Sequence, residues 1–307
     1  MGMIKEIKIE LNTTFRFKDE IAACIGYFDG FHIGHQMLFK STLSLAKASN
    51  LKSAIISFEP DPWVVIKNLS FVSHISTIED RKYLAEHYGF DYWITLVFNH
   101  EMADASPQQF IQLLNGINIK HLICGYDFRF GKNGAGDIQT LKSQNELKIQ
   151  VIDEFDFNNE KVSTTRIIAA LKAGEIELAN TLLGRPYSIR GLIIHGKQLG
   201  QKIGYPTANL LANPEYIIPK IGVYAGRVNI SGKLYNAMIS IGINPTISND
   251  NPMSIEAHIF DYYGNLYDMN LIFEFHYYLR DEMRFDNIQG LINQLKLDDL
   301  ESRKRLI

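Results

Sequence analysis

Along the 307 residues, the hydrophobic pattern changes character once. In the first part, short unbroken apolar runs alternate with helical periodicity. Ile21 to Ile25 is one such run. Lys52 to Phe58 is the next, and it stops at Glu59-Pro60-Asp61-Pro62, where two prolines forbid continuation. Tyr92 to Phe98 and His121 to Cys124 are the third and fourth. Runs with no polar alternation suit strands buried on both faces of a parallel sheet. Between them lie helical stretches. Thr77 is an N-cap with Glu79 and Asp80 in the first turn. Ser106-Pro107 opens another helix, with Phe110, Leu113 and Leu114 on one face. Strands alternating with helices predict βαβ units, hence an α/β fold with a parallel sheet.

Two further helices close this part: Arg166 to Ala173, ended by Gly174, and Ile176 to Leu183, broken at Gly184-Arg185-Pro186. From Tyr187 onward, alternating apolar strands and glycine turns take over. The strands expected are Ser188 to Ile194, Gly222 to Ile230, Tyr235 to Ile241, Ile255 to Phe260 and Leu271 to Tyr278. That spacing predicts an antiparallel β-barrel. A last helix is expected after Asp286 as its cap, with an apolar stripe of Ile288, Leu291, Ile292 and Leu295. The chain thus reads as two domains, 1–183 and 184–307.

Composition narrows the class without naming a function. Hydrophobic content of 46% and charged content of 21% are those of a globular protein. A net charge of −3 gives no general affinity for nucleic acid, so acidic substrates need local positive sites. Cys24 and Cys124 both sit in apolar runs with no metal-ligand spacing, so neither a disulfide framework nor a zinc site is expected. A reducing cytoplasm is the expected setting. No apolar run approaches the roughly 20 residues that span a bilayer.

The chemistry is concentrated after the first run. Gly26 and Gly30 bracket a tight turn, and His32-Ile33-Gly34-His35 then opens a helix. A helix N-terminus offers free N–H groups and partial positive charge to a phosphate. Residues three apart share a helix face, so His32 and His35 aim at one spot. Two imidazoles there suit a phosphoryl group that gains negative charge. Neither a Gly-x4-Gly-Lys-Ser/Thr loop nor a GxGxxG fingerprint occurs.

Gly26-Tyr-Phe-Asp-Gly-Phe-His-Ile-Gly-His35 resembles the His-x-Gly-His signature of the nucleotidyltransferase superfamily. The Phe-Asp-Gly before it resembles the branch that makes FAD from FMN, usually joined to a riboflavin kinase. The resemblance implies a Rossmann-like first domain. In it, His32 and His35 are catalytic, and Gly26, Phe28, Asp29 and Gly30 contribute to the nucleotide site. Gly125-Tyr-Asp-Phe-Arg-Phe-Gly131 resembles the second signature and implicates Gly125, Asp127, Phe128, Arg129 and Gly131. Val162-Ser-Thr-Thr-Arg-Ile-Ile168 resembles the third and implicates Ser163, Thr164 and Thr165. Two positions depart from the family pattern. Asp61 stands where histidine is usual, and a negative charge there opposes a triphosphate unless offset. Ile168 stands where the final arginine is usual.

The second domain carries its own signature. Gly191-Leu-Ile-Ile-His-Gly196, Gly200 and Gly204-Tyr-Pro-Thr-Ala-Asn209 resemble the riboflavin kinase pattern. It implies a nucleotide loop built from Gly191, His195, Gly196, Gly200, Gly204, Pro206 and Thr207. Thr207 and Asn209 are two apart, so in an extended chain they point the same way. Their neutral oxygens suit Mg²⁺ that also takes phosphate and water. Two usually basic positions are Leu199 and Gln201, with Lys197 and Lys202 nearby. On the strand from Ser254 to Asp261, Ile255, Ala257 and Ile259 form one face and leave Glu256 on the other. By resemblance Glu256 is the general base, and Arg280 and Glu282 hold the flavin. Asn244-Pro245-Thr246 resembles a structural loop of the family. The resemblance implies a bifunctional enzyme: riboflavin and ATP give FMN, then FMN and ATP give FAD, with small molecules as its partners. The departures leave two alternatives, a kinase without FAD synthesis and a flavin-binding regulator.

Overall fold

The computed structural model describes residues 3–196, 199–243 and 253–307. Lys197 and the Asn244-Pro245-Thr246 loop lie outside them. The chain divides into two compact units, one up to Ser163 and one from Thr164 onward. The two helices between this point and residue 184 therefore group with the second unit.

The first unit is an α/β sandwich. Its elements in order are β1 (Lys5–Ile9), β2 (Ile21–Ile25), α1 (Ile33–Ser49), β3 (Lys52–Glu59), α2 (Pro62–Ile66), α3 (Ile78–Tyr88), β4 (Tyr92–Val97), α4 (His100–Asp104), α5 (Pro107–Gly116), β5 (Ile119–Gly125), α6 (Ile138–Lys142) and β6 (Lys148–Ile152), then a small hairpin, β7 (Asp156–Phe157) and β8 (Glu160–Lys161). Six strands pair in parallel in the order β1-β4-β3-β2-β5-β6. β2 is buried throughout, as its unbroken apolar run predicts. Its residues feed both faces. Ile21, Ala23 and Ile25 join Phe110 and Leu114 of α5 on one side. Cys24 joins Phe39 of α1 and Trp93 of β4 on the other. The expected caps are present: Thr77 and Asp80 form a capping box on α3, and Ser106 and Gln109 form one on α5.

The connections leave β2 toward β3 and β4 on one side, then jump across to β5 and β6. The order therefore reverses between β2 and β5, which is where ligands gather in such sheets. The turn after β2 and the Gly125 loop after β5 emerge from these two adjacent strands. Two strands of this sheet were not foreseen, β1 and β6. Lys5–Ile9 has charged residues at Lys5, Glu6 and Lys8 and reads as a surface segment, but pairing with β4 makes it the edge of the sheet.

The second unit begins with α7 (Thr164–Ala173) and α8 (Ile176–Leu183), which pack on each other. It continues with β9 (Tyr187–Ile194), α9 (Leu199–Lys202), β10 (Ala208–Ala212), β11 (Gly222–Ile230), β12 (Lys233–Ile243), β13 (Met253–Ile259), β14 (Asn270–Arg280) and α10 (Ile288–Arg305). The strands close an antiparallel barrel in the order β10-β13-β12-β11-β14-β9. Ile189, Tyr224, Ile239, Ala257 and Phe273 are fully buried, and burial alternates along β9 and β13. Ala208–Ala212, unforeseen because it follows Pro206 with little alternation, is the strand that closes the barrel between β9 and β13. Gly226 sits at a register shift where a Cβ would run into the Glu274 carbonyl.

The last helix corrects an expectation. Its cap is Asn287, which accepts from the Gly290 N–H, and not Asp286. Its buried residues are Asp298 and Ser302, while Ile288 at the head of the expected stripe is 63% exposed. An ion pair between this helix and the barrel, described below, accounts for the burial of Asp298, while Leu291 and Leu295 of the expected stripe line a cavity. No helix among the described residues is long and apolar enough to cross a membrane.

Candidate functional site

Each unit carries one candidate centre. In the α/β unit the chain leaves β2 through a tight, strained turn. Phe28, Gly30 and Phe31 all have positive φ, at 56°, 73° and 46°. Such backbone costs about 1–3 kcal/mol per non-glycine residue and persists only where surroundings over-determine it. Asp29 does much of that. It is 5% exposed and accepts from the backbone N–H of Ile75 and Ser76, both at 3.0 Å. The Gly30 N–H donates to Ser76 Oγ at 2.9 Å. Phe28 is buried against Phe39. Asp29 and Phe28, expected near nucleotide, thus hold the turn itself.

That turn delivers His32 to the N-cap of α1. His32 Nδ1 accepts from the His35 N–H at 3.4 Å, which leaves the ring proton on Nε2. The two rings stack 3.5 Å apart at 20°. Gly34 makes room for this, since a Cβ there would come within 3.2 Å of the His32 ring. The same Cβ would lie 3.9 Å from the Val162 carbonyl, so the chain just before Ser163 runs beside the turn. Ser163 ends the first unit, and Thr164 and Thr165 open α7 in the second.

A cavity of about 940 Å³ opens in the same unit. Phe58, Trp63, Phe98, Phe110 and Phe130 give it aromatic walls, and Arg129, Gly131 and Lys132 form a polar side. Arg129 faces Asp137 at 3.6 Å and Lys132 faces Asp104 at 2.8 Å. Asp127 pairs with Lys161 at 2.9 Å, and Phe128 stacks on Phe130. The sequence reading missed the aromatic wall. The available signal was an aromatic residue near the end of consecutive strand runs, Phe58 and Phe98. Asp61 is 8% exposed and caps α2, accepting from the Trp63 N–H at 2.6 Å.

In the barrel, register builds the centre. Glu256 on β13 lies opposite Asn209 on β10 and Ser240 on β12. Thr207 Oγ1 donates to Glu256 Oε2 at 2.9 Å. A cavity of about 270 Å³ brings Thr207, Ser240, Glu256, Arg280 and Glu282 together. Ile203, Val223, Met238, Phe285 and Leu295 supply its apolar lining. Gly196 lies against the Asn209 amide, where any Cβ would overlap it. Gly191 and Gly200 pass close to the carbonyls of Leu211 and Tyr205, Gly204 has φ of 86°, and the Pro206 carbonyl meets His258 Nδ1 at 2.9 Å. His195 is not part of the cavity lining; it stacks on Tyr267 at 3.7 Å.

Arg280 lines the cavity but is held from behind. It makes a bidentate pair with Asp298 of α10, with Nε 2.9 Å from Oδ1 and Nη2 2.6 Å from Oδ2. Gln294 donates to the same carboxylate at 2.8 Å. Asp298 is 4% exposed. The pair fixes α10, and with it Leu291 and Leu295, over the cavity.

Comparison with known proteins matches each unit to a family of its own. A family model for FAD synthetase matches residues 15–166, and one for riboflavin kinase matches residues 183–306. A bifunctional riboflavin kinase/FMN adenylyltransferase of Listeria monocytogenes is 34% identical over 91% of this chain and 90% of its own. The protein of the same description from Bacillus subtilis is 35% identical over 91% and 90%. A solved structure described as a macrolide-efflux protein from Streptococcus pneumoniae superposes with a TM-score of 0.88 at 29% identity, covering 97% of this chain and 99% of that one. On its sequence, its fold and these matches, the chain belongs to the bifunctional riboflavin kinase/FMN adenylyltransferase family.

Proposed function

We propose that the barrel centre phosphorylates riboflavin and the α/β centre adenylylates the FMN produced. We assign residues 184–307 to the first step and 1–183 to the second. The observation that carries the proposal is Glu256, held by Thr207 and opposite Asn209 in the strand register, in the lining of a cavity. In the kinase step, the terminal ribityl oxygen attacks the γ-phosphorus of ATP. Its proton passes to the Glu256 carboxylate, and ADP leaves. The apolar lining receives the flavin ring, with Glu282 and the Arg280 guanidinium at its edge. The loop through Gly191, His195, Gly196, Gly200, Gly204 and Pro206 surrounds the nucleotide. Thr207 Oγ1 and Asn209 Oδ1 are neutral hard oxygens of the kind Mg²⁺ accepts, and they would hold it. A bound Mg²⁺ neutralises charge on the ATP phosphates.

In the adenylyl step, a phosphate oxygen of FMN attacks the α-phosphorus of ATP and pyrophosphate leaves. His32 and His35 donate to the oxygens that gain charge, at the N-terminus of a 17-residue helix. Gly26, Gly125, Asp127, Arg129, Gly131 and Ser163 bound the nucleotide. The aromatic cavity takes the isoalloxazine. Asp61, expected to oppose a triphosphate, is committed to the α2 cap. We place both steps in the cytoplasm, with riboflavin, FMN and ATP as the partners.

The test uses purified protein with ATP, Mg²⁺ and either riboflavin or FMN, followed by chromatography of the flavins. FMN from riboflavin and FAD from FMN are the expected products. FMN without FAD removes the second assignment, and neither product removes both.

A further inference from the structure

The α/β unit buries an ionic network that the proposed chemistry does not use. His74 is 6% exposed and stands between two carboxylates. Its Nδ1 lies 3.9 Å from Asp29 and its Nε2 3.8 Å from Asp61. Nε2 also meets the Tyr27 hydroxyl at 3.1 Å. Arg81 of α3 completes the group. Its guanidinium lies 4.5 Å from the Tyr27 ring and donates to the Tyr27 carbonyl at 2.7 Å and hydroxyl at 3.4 Å. Asp29, Asp61 and Arg81 are 5%, 8% and 2% exposed. His74 is thus the common neighbour of both buried carboxylates.

The partners of His74 lead to different parts of the adenylyl-transfer centre. Asp29 belongs to the turn that ends at His32, and the residues after His74 clamp that turn through Ile75, Ser76 and Gly30. Asp61 caps α2, whose Trp63 and Ile66 wall the aromatic cavity. A misplacement of about 1 Å at a reacting centre costs up to about 100-fold in rate, so a link between these parts affects turnover without touching substrate.

We propose that His74 is a positioning residue for FMN adenylylation, tying the turn that presents His32 and His35 to the helix that walls the cavity. This rests on the adenylyl-transfer reading above. Asp61→Asn alters only the α2 side and is expected to raise KM for FMN with kcat nearly unchanged. His74→Gln alters both sides and is expected to raise KM and lower kcat by about tenfold. Because the two residues share one interaction, the double variant costs less than the product of the single effects. Riboflavin phosphorylation, measured on the same samples, stays within about twofold of wild type, because its residues lie elsewhere.

Steady-state FAD formation by the full chain decides the matter. Wild type that makes no FAD overturns the adenylyl reading and this proposal with it. Wild type that makes FAD while His74→Gln keeps its KM and kcat overturns the proposal alone, as do single effects that simply multiply. Should His74→Gln unfold the α/β unit, Asp61→Asn decides: a raised KM at constant kcat supports the link, and an unchanged KM overturns it.

Discussion

The two units place their proposed reactive groups by different physical means. In the barrel, strand register does it. Asn209, Glu256 and Ser240 lie side by side on three neighbouring strands, and period-two alternation sets which face they share. In the α/β unit, the reactive groups stand on a turn and a helix start, and backbone alone does not hold them. Phe28 and Phe31 keep positive φ because Asp29 is gripped by Ile75 and Ser76, nearly fifty residues later in the chain. A centre built on register tolerates changes in its surroundings. A centre built on loops depends on the groups that brace them.

Removing chemistry from one unit and reading the other tests this contrast most strongly. Glu256→Gln keeps the shape and removes the base, so riboflavin phosphorylation falls by about 1,000-fold. FAD formation from supplied FMN continues, and a flavin assay with each substrate checks both. Next in size is His35→Gln, which removes one donor to the charge-gaining phosphate. FAD formation falls by about 100-fold and the kinase step is unchanged, as the same assay reads.

The third test asks whether the barrel has a brace of its own. Asp298→Ala strands the Arg280 guanidinium and releases α10. A break in such a buried pair costs about 3 kcal/mol, so the barrel unit melts earlier by calorimetry, and KM for riboflavin rises as the cavity wall loosens. If KM does not move, register alone suffices for the barrel and the contrast becomes sharper.

The smallest effect gives a probe of one unit. Burial pushes the thiols of Cys24 and Cys124 up from 9.0 to about 12, and both lie in the α/β unit. Both therefore stay protonated at pH 8 and resist a thiol reagent until that unit opens. Their contribution to stability is intact below pH 9 and is lost as pH climbs toward 12, because the unfolded thiols ionise first. Thiol titration in mild denaturant, beside a kinase assay, reports whether the loop-built unit opens first.

Much of this was legible in the residues. The strand Gly222–Ile230 and the caps at Thr77 and Ser106 follow from local pattern and cap chemistry, and the structure agrees. His32 with His35, and Thr207 with Asn209, stand in compact signatures whose spacing already implies a shared direction, whereas the bond from Thr207 to Glu256 joins residues far apart in the chain. What was missed has a common cause. Lys5–Ile9 and Ala208–Ala212 are short, and pairing with neighbours, not their own pattern, makes them strands. The cap of α10 passed from Asp286 to Asn287, a choice between adjacent cap-forming residues that the helix's docking settles. The aromatic cavity draws on residues from Phe58 to Gly134, too far apart for any window to join.

The sequence by itself determined most of the strands and the longer helices, where alternation changes from parallel to antiparallel architecture, and which family the chain resembles. Periodicity and cap chemistry are local, so they survive without coordinates. Only the tertiary structure decided that Asp29 braces a turn, that Asp61 serves a helix cap beside His74, and that Arg280 reaches back to Asp298. Those assignments depend on which distant groups share a buried space, where an unpaired charge is costly and a paired one holds position.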